Sequence, residues 1–197
     1  QREGIDACYL PKGYDNKVIA DLGIPRTEAA AFVGRVKNKV YKKRKRFLLR
    51  QEKLGRVALL RADPGEPYNR LLNQIRCFVS ADIGFGEYMI KNFEAMAAGC
   101  LLVAWRQPEQ EQAALGFVEG ENVVLYDSEQ ELEKKLAWLA SDSPAAERIA
   151  RAGQALVTKQ HRWVDRAAVF PELLSAEIQR APPITWRDRL KILGAGK

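Results

Sequence analysis

The sequence predicts an α/β fold in which a Rossmann-like parallel sheet carries helices on both faces. Short apolar runs alternate with longer segments of helical periodicity, and this alternation is the pattern of βαβ units. Continuous apolar runs are typical of strands that are buried on both faces of a parallel sheet. The five predicted strands are Ala29–Val33, Val57–Leu60, Cys77–Ala81, Leu101–Ala104 and Asn122–Tyr126.

Helices are predicted between and after these strands. A basic helix from about Asn38 to Leu54 follows the first strand, and a second helix covers Pro67–Gln74. A helix that contains Glu94 ends at Gly99, since glycine is a common residue just past a helix C-terminus. Beyond the fifth strand the chain turns helical. Three more helices are predicted there: one that starts after Ser128, with Glu131 three residues on as in a capping box, one from Ser143 to Gln160, and one from about Trp163 to Arg180.

The order of the elements places three loops at one edge of the sheet. Parallel sheets bind ligands in the crevice at the carboxyl ends of their strands. The loops that follow the first, third and fourth predicted strands therefore meet there. They contain Gly34-Arg35, Asp82–Glu87 and Ala104–Pro108.

Composition sets the class of protein. The 197 residues are 47% hydrophobic and 29% charged, which is globular and compatible with one domain and a tail. We predict a domain over residues 1–181 and a basic tail over 182–197, either amphipathic or disordered. No apolar stretch approaches eighteen residues, no signal peptide opens the chain, and the start at Gln1 leaves open that the chain is a fragment. Three widely spaced cysteines predict free thiols in the cytoplasm.

The net charge of +7 is concentrated in one segment. Such a run suggests nucleic acid, an anionic membrane face or a phosphate-rich ligand as a partner. The alternative is a helix with one docked apolar stripe, formed by Val40, Phe47, Leu48 and Leu54, whose basic face is simply solvated. The basic residues are Arg35, Lys37, Lys39, Lys42, Lys43, Arg44, Lys45, Arg46, Arg50, Lys53 and Arg56.

Glu94 is the first candidate for ligand binding. It lies in an otherwise apolar helix, and a buried carboxylate needs water or a partner because an unpaired buried charge is costly. Two neighbouring sugar hydroxyls, as in the ribose of a nucleotide, would satisfy it. Lys91 lies about one turn earlier on a similar face, so the pair offers a cation for phosphate and an anion for hydroxyls. The alternative is an intrahelical ion pair between the two.

Two glycine-containing loops are the candidates for phosphate binding. Gly84 and Gly86 lie between a strand and a helix, where backbone can approach a ligand and the amides of the helix start favour phosphate. A tight strand-to-helix turn explains the same glycines. Gly34-Arg35 follows the first strand in the same way, and Arg35 either clamps a diphosphate or begins the basic face.

Catalytic motifs are otherwise lacking. No serine-elbow, Walker, HExxH or CxxC pattern is present, and His161 is the single histidine, which excludes a His-based metal site. We interpret His161 as a structural or surface residue.

The segment NFEAMAAGCLLVA, residues 92–104, resembles the signature of group 1 glycosyltransferases with the GT-B fold. The resemblance extends over residues 5–175, and the order of the looser motifs is similar to that of the spore-maturation-protein-like branch. Those motifs are YLPKGYD at residues 9–15, FVGR at 32–35, GENVVLY at 120–126, IARAG at 149–153 and HRW at 161–163.

The resemblance implies that the chain is the C-terminal, donor-binding half of a GT-B enzyme. It implies that Glu94 holds the ribose hydroxyls, that Arg35 and Lys91 hold the diphosphate, and that no metal cofactor is required. An earlier glutamate that touches the donor sugar in many relatives is replaced here by Gly86, and Glu87 is off by one, so stereochemistry and the catalytic residue stay open. The candidate donor-binding residues are Gly34, Arg35, Gly84, Gly86, Glu87, Lys91 and Glu94.

The leading functional hypothesis is a glycosyltransferase domain that binds a nucleotide-diphospho-sugar. The sugar would pass to a saccharide, glycolipid or cell-surface acceptor, with an N-terminal acceptor-binding domain missing from the chain. We expect a cytoplasmic location with peripheral contact to the anionic inner face of the membrane. Two alternatives remain: a basic module that binds nucleic acid (the less favoured partner) or anionic membrane without catalysis, and a degenerate transferase kept as a scaffold.

Overall fold

A computed structural model of the chain describes residues 9–36 and 41–180, with side chains to residue 175. Five strands and seven helices alternate along these residues. Their order is β1 (Glu28–Val33), α1 (Lys42–Lys53), β2 (Ala58–Leu60), α2 (Glu66–Asn73), β3 (Ile75–Ser80), α3 (Ile90–Ala97), β4 (Leu101–Trp105), α4 (Glu109–Leu115), β5 (Val124–Tyr126), α5 (Glu129–Ser141), α6 (Ser143–Gln160) and α7 (Trp163–Arg180).

The five strands form one parallel sheet in the order β2-β1-β3-β4-β5. The predicted α/β class and the Rossmann-like sheet are thus confirmed. The chain runs outward from β1 to β2, then returns to pair β3 with the other side of β1. This reversal makes the carboxyl edge between β1 and β3 the topological switch point, where open α/β sheets form their ligand crevice.

The core is continuous across the sheet because helices cover both faces. The central strands β3 and β4 are almost fully buried, with Phe78 and Leu102 in register across them. Helices α3 and α6 pack against each other and against β4, whereas α1 packs on β2 and α5 on β5. The apolar runs of β3, β4 and β5 therefore form the interior of the molecule.

Helix ends follow the predicted capping residues. Gly99 has a φ of +81° after α3, with its amide on the carbonyl of Met96 and the Cys100 amide on that of Ala95. This is the Schellman arrangement. Ser128 caps α5 by accepting from the Glu131 amide at 3.2 Å, although the Glu131 carboxylate bonds the amide of Asp127 instead of Ser128.

The apolar stripe predicted for α1 is wrong in part. Phe47 and Leu48 are buried, but Leu54 is 49% exposed. Arg44 and Gln51 occupy the buried face in its place, because Arg44 finds an acidic and an aromatic partner described below. The predicted helix start near Asn38 and the contribution of Val40 lie outside the described residues.

Helix α4 has no counterpart in the sequence-based prediction. Its sequence, EQEQAAL, buries only Leu115, so it carries too few apolar residues to show helical periodicity. The remaining boundaries differ from the predictions by a few residues. The two described cysteines, Cys77 and Cys100, are buried free thiols, as predicted.

The described chain divides into two units. Residues Leu10–Arg166 form the unit that contains the sheet, and most of α7, from Ala167 onward, belongs to the second. The predicted tail at 182–197 lies outside the described residues, so the boundary at 181 stays a prediction. Within the described ranges no helix combines the length and apolar character that a membrane span requires.

Candidate functional site

The predicted site residues lie around the β1/β3 switch point. Gly34 and Arg35 directly follow β1, and the loop from Asp82 to Glu87 connects β3 to α3. Lys91 and Glu94 lie on the first two turns of α3. The topology therefore brings the three sequence segments to the same part of the carboxyl edge.

Gly34 makes room for the Lys91 side chain. A Cβ at residue 34 would lie 3.2 Å from Cε of Lys91 and 3.2 Å from the ring of Phe32. The Gly34 φ of +153° is a conformation that residues with a Cβ rarely adopt. Lys91 thus passes directly over the backbone at the end of β1.

Glu94 has a partner that the sequence did not indicate. The Tyr68 hydroxyl, from α2, donates to the Glu94 carboxylate at 2.6 Å. Nζ of Lys91 lies 3.4 Å from the same hydroxyl and 4.8 Å from the centre of the Tyr68 ring. No ion pair joins Lys91 to Glu94 in the described part of the chain, so the intrahelical pair suggested by their spacing does not form. Both groups keep capacity for a ligand.

Burial tunes the ionisable groups in this cluster. Burial lowers the pKa of the Lys91 ammonium, with Glu94 opposing the shift and Arg44 adding to it. Burial, followed by the adjacent Glu94 carboxylate, raises the pKa of the Tyr68 phenol. Tyr68 therefore stays a hydrogen-bond donor at physiological pH.

Asp82 organises the loop between β3 and α3. Its carboxylate is 2% exposed and accepts from Asn92 Nδ2 at 2.9 Å, from the Met89 amide at 3.0 Å and from the Ser80 hydroxyl at 3.0 Å. Burial raises the pKa of Asp82, and these hydrogen bonds and Arg44 oppose the shift. Asp82 thereby ties the end of β3 to the start of α3.

The start of α3 is only partly available to phosphate. The Met89 amide is held by Asp82 and the Tyr88 amide by Glu111 at 3.2 Å, so these two amides do not face a ligand. Gly84 and Gly86 have φ values of +83° and +73°, which agrees with the tight-turn interpretation of these glycines. Both are exposed, and so their backbone is open to a ligand.

The basic helix contributes two residues to this edge. Arg44 is 8% exposed, with its guanidinium 4.1 Å from the centre of the Tyr41 ring and 3.7 Å from the Asp82 carboxylate. Nζ of Lys43 lies 4.0 Å from the position of a Cβ at Gly84. Arg44 is thus a structural residue of the basic run, and Lys43, the residue before it, brings a cation to the glycine loop.

Two predicted residues are more exposed than Gly34, Lys91 and Glu94. Glu87 is exposed and forms an ion pair with Lys12 at 2.7 Å. Arg35 is exposed at the end of β1. The structure therefore brings together Gly34, Lys91 and Glu94, with Gly84 and Gly86 in the neighbouring loop.

Sequence reasoning did not select Tyr68, Lys43 or Arg44 as site residues. Lys43 and Arg44 were visible only as members of the basic run, with nothing to separate them from its other cations. Tyr68 lies 26 residues before Glu94 on a different helix, and no local pattern links the two. Asp82 had a local signal, a buried strand that ends in an acidic residue before the glycines.

Metal ligands are not clustered in the described ranges: no group of three or more His, Cys, Asp or Glu residues there could hold an ion. His161 is 2% exposed, with Nε2 3.0 Å from the Leu115 carbonyl and Nδ1 2.6 Å from a guanidinium nitrogen of Arg166. Because arginine donates, the Nε2-protonated tautomer satisfies both contacts. His161 is a structural residue, as predicted.

A cavity of about 480 Å³ lies at the opposite edge of the sheet. Arg26 in its wall donates to the carbonyls of Ile75 and Ala98 at 2.7 and 2.8 Å, and Arg76 bonds Ser143 at 2.8 Å. These two arginines form hydrogen bonds near the amino ends of β3 and β4. The cavity is not part of the candidate site.

A model of one protein family matches most of the chain. The profile of the family described as glycosyl transferase-like matches residues 28–171. No match is found among curated proteins.

Solved structures of glycosyltransferases share the fold. Sucrose-phosphate synthase from Thermosynechococcus elongatus superposes with a TM-score of 0.63 at 15% identity, over 87% of this chain and 52% of that one. The C-terminal domain of the group 1 glycosyl transferase LpcC from Francisella tularensis gives 0.54 at 18% identity, over 77% of this chain and 100% of that domain. Anabaena HepE in complex with UDP-glucose gives 0.56 at 21% identity, over 74% and 40%. At these identities the likeness shows the fold alone.

The chain spans about half the length of sucrose-phosphate synthase and 40% of HepE, but the whole of the LpcC domain.

Proposed function

Because the chain belongs to the glycosyl transferase-like family, we propose that it binds a nucleotide-diphospho-sugar as the donor in sugar transfer. One observation carries the proposal. A half-buried carboxylate, Glu94, and a half-buried ammonium, Lys91, lie side by side at the β1/β3 switch point without neutralising each other. A ribose and a diphosphate, joined as they are in a nucleotide, complement these two charges.

Glu94 is suited to the ribose. An ionised carboxylate accepts from about four directions, and Tyr68 uses one of them. The rest suffice for two vicinal hydroxyls, and hydrogen bonds to a charged group are worth roughly 1.5–3 kcal/mol each. Glu94 thus binds the donor and has no assigned part in the chemical step.

The diphosphate is bound by the cations that lie near Glu94. Lys91 crosses Gly34, Arg35 is exposed on the next residue, and Lys43 approaches Gly84. As an ammonium, Lys91 acts as a point charge on phosphate, whereas Arg35 offers bidentate hydrogen bonds. These cations can balance the diphosphate charge without a metal ion, which is the basis for proposing a metal-independent enzyme.

Uridine nucleotides are the first candidates for the donor. HepE, which shares the fold, was solved in complex with UDP and with UDP-glucose. We propose UDP-sugars as the first donors to test, with a saccharide, glycolipid or cell-surface molecule as acceptor. An acceptor-binding domain outside this chain would complete the cleft in which transfer occurs.

Thermal-shift screening tests the proposal. The chain is heated with UDP, GDP, ADP and their sugar conjugates, and a ligand that binds only the folded state raises Tm by an amount that grows with the ratio of its concentration to its Kd. At least one nucleoside diphosphate is expected to raise Tm, and inorganic phosphate at the same concentration is expected to raise it less. No shift with any nucleotide or conjugate contradicts the proposal.

A second candidate function rests on the exposed face of α1. The first turn of α1 carries no acidic residue, and its exposed cations are Lys42, Lys43, Lys45, Arg46, Arg50 and Lys53. Only Arg50 has an acidic partner among the described contacts, Glu129. This face complements an anionic membrane.

Co-sedimentation with anionic lipid vesicles tests the second candidate. Binding that weakens steeply with salt and survives Glu94→Ala would support membrane attachment. Equal binding to neutral vesicles, or none to either kind, would leave the α1 face as a solvated surface and reject this candidate.

A further inference from the structure

The Tyr68 hydroxyl is the one described side-chain group that touches both charges of the candidate donor site. It donates to Glu94 at 2.6 Å and lies 3.4 Å from Nζ of Lys91. Tyr68 is on α2 and the two charged residues are on α3, so this contact joins two successive βα units. We propose that Tyr68 is a positioning residue that holds the Glu94 carboxylate for the ribose diol and thereby selects ribonucleotides over 2′-deoxyribonucleotides. The inference rests on the proposed donor-binding function.

The hydrogen bond from Tyr68 fixes the orientation of the Glu94 carboxylate. A glutamate side chain loses rotamer freedom when it binds, and a partner that holds it beforehand reduces that cost. Tyr68 occupies one acceptor direction of Oε2, and no hydrogen bond from the described residues reaches Oε1. A carboxylate fixed in this way presents its remaining acceptor directions to two adjacent hydroxyls at once, and a 2′-deoxyribose fills only one of the two positions.

The Tyr68 side chain also separates the two charges. Residues three apart on a helix are neighbours, and yet Lys91 turns to the Tyr68 ring, 4.8 Å from its centre. The Tyr68 hydroxyl donates to Glu94 and lies beside the Lys91 ammonium, so it takes the place of a direct ion pair between the two. Removal of the hydroxyl alone leaves the ring for Lys91 to pack on, but frees Glu94 to swing toward the ammonium.

Helix α2 does not need the Tyr68 hydroxyl for its own placement. Leu72, a residue of α2 itself, is fully buried. Oδ1 of Asn69 accepts from the Ala20 amide at 3.1 Å, and Oδ1 of Asn73 accepts from the Leu22 amide at 2.7 Å. These contacts anchor α2 independently, so Tyr68→Phe is expected to fold.

The experiment compares Tyr68→Phe with the wild-type chain by calorimetric titration. The probe is whichever of UDP, GDP and ADP binds the wild type best, together with its 2′-deoxy form. We expect the wild type to prefer the ribonucleotide. We expect Tyr68→Phe to lose about tenfold in affinity for the ribonucleotide and severalfold less for the deoxy form, so that the preference shrinks.

Two further variants separate positioning from packing. Tyr88→Phe is the matched control, because the buried Tyr88 hydroxyl forms no hydrogen bond with Glu94 or Lys91, and it is expected to keep the wild-type preference. In a Glu94→Ala background, Tyr68→Phe is expected to change affinity by less than twofold, since the residue through which Tyr68 acts is gone.

The outcomes are distinguishable. If the wild type binds a nucleoside diphosphate but Tyr68→Phe weakens both forms equally, or weakens binding further in the Glu94→Ala background, Tyr68 only packs and the inference is overturned. If the wild type binds none of the three nucleotides, the proposed function falls and this inference with it.

Discussion

The side chain of Lys91 lies across the backbone of Gly34, with Cε 3.2 Å from the position of a Cβ at residue 34. This contact joins the loop after β1 to the first turn of α3. The position of the ammonium therefore depends on a residue that has no side chain of its own. The cation that we propose for phosphate binding and a conformationally required glycine are thus one structural unit.

Gly34→Ala is expected to weaken nucleotide binding. The new Cβ must displace Lys91 or the Phe32 ring, and the φ of +153° adds backbone strain of about 1–3 kcal/mol. We expect a loss of Tm and a loss in affinity of about tenfold, measured by thermal melting and calorimetry. Gly55→Ala is the matched control, since its φ of +67° is also strained but nothing lies within 4 Å of the new Cβ. Equal losses of affinity in both variants would show that Lys91 is not displaced.

Asp82→Ala is expected to destabilise the fold strongly. It leaves the Met89 amide, the Asn92 side chain and the Ser80 hydroxyl without their acceptor, and an unsatisfied buried polar group costs about 1–3 kcal/mol. We expect a loss of about 2–4 kcal/mol in the free energy of unfolding by denaturant titration. Asp63→Ala, at an exposed residue, serves as the control and should stay within about 0.5 kcal/mol of wild type. A comparably small effect of Asp82→Ala would rule out an organising role.

Stability is expected to fall between about pH 7 and pH 5 because of His161. Burial lowers the pKa of His161, the Leu115 carbonyl opposes this shift, and the nearby Arg166 charge adds to it. The unfolded chain therefore takes up a proton below about pH 6.5 while the folded chain resists it. The stabilising contribution is complete above the unfolded pKa and is lost as the pH falls through the folded value.

The measurement is the free energy of unfolding of wild type and His161→Gln across this pH range. His161 is the single histidine of the chain, so the difference between the two curves isolates its proton. We expect the difference to shrink as the pH falls. A difference that is constant with pH would mean that the imidazole is protonated equally in both states.

The sequence was sufficient for the sheet and for part of the site. The apolar runs located all five strands, of which β3, β4 and β5 are almost fully buried and the edge strand β2 is half-buried. The Glu94 helix with its Gly99 stop was visible from local pattern alone. The carboxyl-edge position of Gly34, Gly84 and Glu94 followed from the order of the elements.

The remaining features depend on contacts between distant segments. Helix spacing predicted a Lys91–Glu94 ion pair as one alternative, but Tyr68 from a neighbouring helix takes the carboxylate. The sequence pattern predicts Arg44 as a surface cation. It is buried because its guanidinium packs on the Tyr41 ring and pairs with the Asp82 carboxylate. Tyr68 and Asp82 are distant in sequence from Glu94 and Arg44, and for that reason no local pattern predicts these two contacts.

The central claim is that Glu94 and its neighbours bind a nucleoside diphosphate. The most direct measurement is calorimetric titration of the wild-type chain and of Glu94→Ala with UDP-glucose, or with the conjugate that stabilises the chain most in the thermal screen, and with Glu121→Ala as an exposed control. We predict wild-type binding, a loss of at least tenfold in Glu94→Ala, about 1.4 kcal/mol or more, and no change in Glu121→Ala. Unchanged affinity in Glu94→Ala would contradict the account.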